Sequence, residues 1–186
     1  MATKKYLVIG ISGTTNSGKT TLTTMLKSAF PQVSTLCQDA YFKEPGDKTV
    51  PKLSNGFEDW DCLDAMHMNR MVNDVNDWIS THQDLKGQNI LIIEGFLIFT
   101  YKPLINLFNK KYFIKVDYQS CAARRVHRVY DPPDPPGYFD AVVWPAYHKC
   151  LEEIKDQKDI EYVDGSESLE NLKEKLIKDI KSLSQI

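Results

Sequence analysis

Three features of the 186-residue chain predict an α/β fold, layered α/β/α around a mainly parallel five-stranded sheet. Short apolar runs recur along the chain, and two are apolar throughout, as expected of strands covered on both faces. Stretches with apolar residues at helical spacing lie between them. The first apolar run ends in a glycine-rich turn that opens directly onto a helical pattern.

The strand candidates are YLVIGIS (6–12), VSTLCQ (33–38), NILIIEG (89–95), KYFIKVD (111–117) and DIEYVDG (159–165). In 62–80 a helical stripe is formed by Leu63, Met66, Met71, Val75 and Trp78. In 168–183 the stripe is Leu169, Leu172, Leu176, Ile180 and Leu183. Helices are also expected at 18–29, 118–129 and about 138–157. Strand and helix in turn imply βαβ units. The length suits a single domain over residues 1–186. Two stretches break the alternation: the polar, turn-rich KEPGDKTVPKLSNGFED (43–59) and the proline-rich 130–137. Both are candidates for loops that carry function.

Composition narrows the partners. Hydrophobic residues make up 42%, charged residues 26%, and the net charge is −2. No global charge therefore suggests nucleic acid or an anionic membrane as a partner. Cys37, Cys62, Cys121 and Cys150 form no CxxC pair and lack metal-ligand spacing, which suits reduced thiols in the cytoplasm. No segment approaches the roughly 20 apolar residues that span a bilayer. With no obvious apolar patch, a monomer is the expectation.

GTTNSGKT, Gly13 to Thr20, satisfies G-x-x-x-x-G-K-[ST], and it sits between a buried strand and a helix as a phosphate-binding P-loop must. Gly13 and Gly18 permit backbone conformations closed to other residues. The N–H groups of Thr14, Thr15, Asn16 and Ser17 can then turn toward phosphate oxygens. The helix that opens at Lys19, Thr20 and Thr21 aims its positive dipole end at the same anion. Lys19 would reach the β- and γ-phosphates and the Thr20 hydroxyl would ligate Mg²⁺. The fold is thus predicted to be of the P-loop NTPase type.

What stands opposite the phosphates decides the reaction. Asp39 ends the second strand candidate, and the carboxyl ends of parallel strands open onto the ligand crevice. A carboxylate there can take a proton from an attacking hydroxyl, hold Mg²⁺ through water, or simply cap a turn. Glu94 ends the LIIEG strand in the same way, as a metal partner or as a carboxylate at a helix start. Of the four arginines in the chain, Arg124, Arg125 and Arg128 fall within five residues. Guanidinium groups supply fixed donors to the charge that spreads over a phosphoryl group in transfer. Lysine carries most of the other positive charge and would serve a merely solvated face equally well. Pro132, Pro133, Pro135 and Pro136 follow, and their restricted backbone suits a stiff lid over about 120–140 that excludes water.

GISGTTNSGKTTL, QDAYFK, NGFEDWD, LIIEGFLIF and RRVHRVYDPPDPPGYFD, in this order, resemble the nicotinamide riboside kinases, P-loop enzymes related to uridine kinase. The resemblance implies transfer of a phosphoryl group from ATP, with Mg²⁺, to the 5′-hydroxyl of nicotinamide riboside, and of nicotinic acid riboside, in NAD synthesis. It implies that Asp39 is the base and, with Thr20, a magnesium ligand, while Lys19, Glu94 and Arg125 complete the catalytic set. Asp61 and Arg125 would hold the ribose, and Tyr41 and Phe42 would border the acceptor in an insert spanning about 40–62. Arg124 and Arg128 would lie over ATP, with Glu167, Ser168 and Leu169 beside the adenine. Trp60 and Tyr130 would sandwich the pyridine ring, a sensible pair because aromatic faces attract a flat cation. Trp60 stands where tyrosine is usual in the family, and Ala40 follows Asp39 where a second acidic residue is common. Ala122 and Ala123 replace part of a longer basic run. Competing readings are a kinase for uridine, cytidine or pantothenate, and a nucleotide-binding scaffold without transfer.

Overall fold

The computed structural model describes residues 6–30, 32–85, 87, 89–130 and 133–184. Asp131 and Pro132 of the proline-rich stretch lie outside them. The strands are β1 (Tyr6–Gly13), β2 (Val33–Cys37), β3 (Asn89–Glu94), β4 (Lys110–Lys115) and β5 (Ile160–Asp164). They pair in the order β2-β3-β1-β4-β5, all parallel. The helices are α1 (Lys19–Lys27), α2 (Met68–His82), α3 (Lys102–Ile105), α4 (Tyr118–Val126), α5 (Trp144–Ile154) and α6 (Leu169–Ser184).

Side-chain alternation along the strands builds the three layers. Val8, Leu91, Ile93 and Phe113 face one way and pack with Met71 and Val75 of α2, Leu104 of α3 and Ile154 of α5. Ile9, Ile90, Ile92, Tyr112 and Ile114 face the other way and meet Leu22 and Leu26 of α1, Cys121 of α4, and Leu172, Leu176 and Ile180 of α6. Because every strand is parallel, Gly13, Cys37 and Glu94 all end at one edge of the sheet. The chain leaves β1 through α1 on one face and leaves the neighbouring β3 through α3 on the other, and a crevice opens where they part.

Several elements differ from the sequence expectation, each for a local reason. Residues 62–67 do not begin a helix: Leu63–Ala65 form a 3-10 turn, and Met66 is extended. There the Lys43 amide donates to the Ala65 carbonyl and the His67 amide to the Tyr41 carbonyl, so pairing with 41–43 outcompetes helix. α4 stops at Val126, and the turn tightens as the Arg128 amide donates to the Arg125 carbonyl. The helix expected from 138 starts as a π turn, Phe139–Val143, and becomes α at Trp144. Pro145 has no N–H to give the carbonyl four residues back, so the wider turn precedes it. β2 ends one residue early, which places Asp39 in the 3-10 turn Gln38–Tyr41. The four-residue α3, with Pro103 in its first turn, was not anticipated.

Leu91 lies fully buried on β3, between β1 and β2. Leu91→Ala should cost about 2–5 kcal/mol of stability, read as a lower urea midpoint at unchanged m-value.

Candidate active site

The P-loop is held open by its own backbone. Gly13 (φ 145°), Asn16 (φ 55°) and Gly18 (φ 92°) all take positive φ. At Gly13 a β-carbon would also collide with the backbone carbonyl of Ile114 in β4, so conformation and space both demand glycine. The Ser17 hydroxyl is buried in this turn without a hydrogen-bond partner among the described residues. An orphaned buried hydroxyl in a turn of this backbone shape fits one built around phosphate oxygens. Lys19 Nζ folds back to donate to the carbonyls of Gly13 (3.2 Å) and Thr14 (2.8 Å). Burial pushes its pKa down, while Asp39 and Glu94 pull it back up.

Two carboxylates face this loop from neighbouring strand ends. Glu94, the last residue of β3, is only 4% exposed and accepts a hydrogen bond from Thr20 Oγ1 at 3.0 Å. In register it stands beside Ile11 of β1 and Cys37 of β2, so the second carboxylate follows two residues later. That carboxylate, Asp39, is half-exposed and meets Arg128 Nη2 at 3.6 Å. Threonine hydroxyl and carboxylates together make an all-oxygen donor set of the kind magnesium prefers.

The arginines converge on the same loop. Arg124 donates to the carbonyls of Asn16 (3.3 Å) and Gly165 (3.1 Å). Arg125 donates to Thr15 Oγ1 (3.0 Å) and pairs with Asp134 Oδ2 (2.7 Å), which ties the proline-rich segment to the P-loop. Arg128 reaches Asn16 Oδ1 (3.5 Å) as well as Asp39. Beneath them the Cys121 thiol donates to the Thr15 carbonyl at 3.1 Å. Arg125 and Arg128 cover the ring of Tyr130 at 4.4 and 5.0 Å, while its hydroxyl lies 3.4 Å from Thr15 Oγ1 and Asn16 Nδ2.

On the far side, Trp60 packs edge-on against Phe42, which stacks on Phe96. The Tyr138 hydroxyl accepts from the Trp60 amide (3.2 Å) and lies 3.1 Å from the Glu58 carbonyl and 3.5 Å from Asp61 Oδ2. Burial lifts the Asp61 pKa to about 7, against the lowering pull of Arg125, with Asp59 and Asp134 adding to the rise.

A single cleft of about 1330 Å³ joins these groups. Of the residues singled out from the sequence, Thr15 to Thr21, Asp39, Phe42, Trp60, Asp61, Glu94, Arg124, Arg125, Arg128, Tyr130, Glu167 and Leu169 line it. Gly13 and Thr14 support the loop from below. Ser168 lies off the lining and caps α6 by accepting from the Asn171 amide. Tyr41 lies in the core at 3% exposure, its hydroxyl donating to Asp74 at 2.7 Å. Sequence reasoning missed Tyr138, Asp134 and Phe96, which also line the cleft. The first two stand inside the PPDPPGYFD stretch, where the prolines drew attention away from them.

A carboxyl held near 7 rather than its ordinary 3.8 favours the folded state fully below the lower value. That contribution is lost as pH rises through the upper one. Asp61→Asn should therefore gain stability relative to the parent chain between about pH 5 and about pH 8. The measurement is the urea midpoint at each pH, and an unchanged difference would contradict the assignment.

No protein-family model matches the chain. Among curated proteins, it is 43% identical over 187 residues to nicotinamide riboside kinase 1 of Rattus norvegicus, with 95% of each chain covered. It is 44% identical over 178 residues to the Homo sapiens nicotinamide riboside kinase 1, covering 90% of this chain and 88% of that one. Against Homo sapiens nicotinamide riboside kinase 2 the identity is 38% over 189 residues, covering 95% and 81%. Solved structures with similar folds include a sugar kinase from Janibacter sp. HTCC2649, with a TM-score of 0.60, 16% identity and 93% of both chains covered. Another is a possible uridine kinase from Bacillus stearothermophilus, with a TM-score of 0.54, 18% identity, and 86% and 90% covered. With sequence identity of this extent over nearly its whole length, set on a P-loop kinase fold, the chain belongs to the nicotinamide riboside kinase family.

Proposed function

We propose that the chain transfers the γ-phosphoryl group of ATP to the 5′-hydroxyl of nicotinamide riboside, forming nicotinamide mononucleotide for NAD synthesis. The supporting observation is that the P-loop, Trp60, Asp61 and Asp39 all line one cleft. ATP phosphates take the cradle of residues 13–20, with Glu167 and Leu169 beside the base. Thr20, Glu94 and Asp39 would offer the oxygen donors for Mg²⁺, whose positive charge would offset that of the phosphates.

Asp39 accepts the proton of the 5′-hydroxyl as its oxygen bonds to the γ-phosphorus. The bond to the bridging β–γ oxygen breaks, and ADP leaves. Lys19, Arg124 and Arg128 face the charge that spreads over the transferring group. Arg128 is held by Asp39 itself, so moving onto phosphate also frees the carboxylate to act as base. Asp61 and Arg125 bind ribose hydroxyls. The pyridinium lies against Trp60 and Tyr130, each aromatic face contributing about 0.5–2 kcal/mol. Tyr41 acts from the core, holding the turn that carries Asp39.

Lys43 and Lys52 also line the cleft and offer a partner to a carboxylate, so nicotinic acid riboside is included as a substrate. Residues 40–62 act as the acceptor insert of a single-domain, monomeric enzyme. The segment at about 120–140 acts as a lid, its Arg125–Asp134 pair closing over the P-loop. All four thiols are free, in keeping with a reducing cytoplasm. No helix among the described residues is long and apolar enough to cross a membrane.

A panel of nicotinamide riboside, nicotinic acid riboside, uridine, cytidine and pantothenate, scored by kcat/KM with ATP and Mg²⁺, tests the reading. Nicotinamide riboside should lead; a preference for uridine over both pyridine ribosides would overturn it. Asp39→Ala should keep ATP binding and lose turnover by at least about a hundredfold, checked by nucleotide titration beside steady-state rates.

A further inference from the structure

We propose that the hydroxyl of Tyr138 is a positioning group that holds Trp60 and Asp61 in place and so sets affinity for the acceptor nucleoside, an inference that rests on the acceptor assignment above. Residues 58–61 belong to no helix or strand, apart from a single bridge between Lys52 and Glu58. Their conformation must therefore come from elsewhere. Within the loop, the Asp59 amide donates to the Pro51 carbonyl and the Asp61 amide to Asp59 Oδ1. The Tyr138 hydroxyl meets this loop at three points: it accepts from the Trp60 amide and lies within reach of the Glu58 carbonyl and Asp61 Oδ2.

Ring and hydroxyl divide the work. The ring is 5% exposed and packs with Val142, Val143, Leu53 and Phe57, meeting Phe57 edge-on at 5.8 Å. That packing anchors the start of the π turn whatever the hydroxyl does. A hydroxyl largely buried there is costly unless it is partnered, so the loop gains stability by bringing its own groups to that oxygen. The hydroxyl has one proton and two acceptors, the Glu58 carbonyl and the Asp61 carboxylate. The same contact that sets the backbone of Trp60 thus reaches the carboxylate assigned to the ribose. Arg125 from α4, Asp134 from the proline-rich segment and Asp59 from the loop itself also face Asp61.

Tyr138→Phe keeps the ring and deletes only the contact. The comparison uses the nucleoside that the parent chain phosphorylates best. If that nucleoside is not a pyridine riboside, the substrate assignment fails while the role of Tyr138 is still tested. The expected result is an acceptor KM raised about fivefold to tenfold, with kcat and the KM for ATP changed by less than about twofold. The pH midpoint of the acceptor KM should move upward, because the hydroxyl no longer helps Asp61 hold its charge. With Asp61→Asn, the double variant should lose less than the product of the two single effects. An unchanged acceptor KM, an equal rise in both KM values, a fall in kcat alone, an unmoved midpoint or fully multiplicative effects would each overturn the proposal.

Discussion

Gly13 leaves β1 at a φ of 145° with no room for a β-carbon beside the Ile114 carbonyl of β4, and from that point the chain can turn back over the strand ends. Any side chain there would push β1 away from β4 and disturb the pairing at the sheet's centre. Within the turn the Ser17 amide donates to the Thr14 carbonyl, and α1 starts at Lys19. The loop's geometry is therefore inherited from the parallel sheet, whose two apolar faces hold β1 and β4 in register. Stability of the core and readiness for phosphate are one constraint viewed from two sides.

Charge is arranged around that loop more densely than a near-neutral chain would need for solubility. Arg124, Arg125 and Arg128 are each held by local oxygens, from carbonyls, Thr15, Asp134 and Asp39. The exposed Arg128–Asp39 pair contributes little to stability. The value of these contacts lies in orientation, since planar donors already aimed at one volume need little reorganisation when an anion enters it. Glu94 and Asp39 act on Lys19 against the lowering effect of its burial.

The part of the cleft around Trp60 and Asp61 follows a different logic. It has no glycine-rich turn and no strand end to impose its shape. Trp60 and Asp61 sit on irregular chain that Tyr138 and the small cluster of Leu53, Phe57, Val142 and Val143 pin from behind. Burial there lifts the Asp61 pKa toward neutrality, with Arg125 holding it from rising further. Arg125 also bonds Thr15 and Asp134, so one guanidinium links the P-loop, Asp61 and the proline-rich segment.

The P-loop, the strand-end carboxylates Asp39 and Glu94, the arginine cluster and the five strands could all be read from residue order. Each depends on local rules: side-chain period along a strand, glycine at a strained turn, charge clustering within a few residues. Local rules failed where partners distant in the chain decided the outcome. Residues 62–67 carry a helical stripe, yet pairing with 41–43 drew them into a 3-10 turn followed by extended chain. Tyr41 stands beside Asp39 in the sequence, but the 3-10 turn rotates it into the core toward Asp74. Tyr138 lies 78 residues from Trp60, and no periodicity could announce that its hydroxyl would meet that amide. The sequence by itself determined the sheet, the phosphate cradle and its nearest charges, because backbone sterics and hydrophobic alternation act between neighbours. Only the tertiary structure decided how the acceptor loop is held and which carboxyl is desolvated, because burial and long-range hydrogen bonds exist only once the chain has closed on itself.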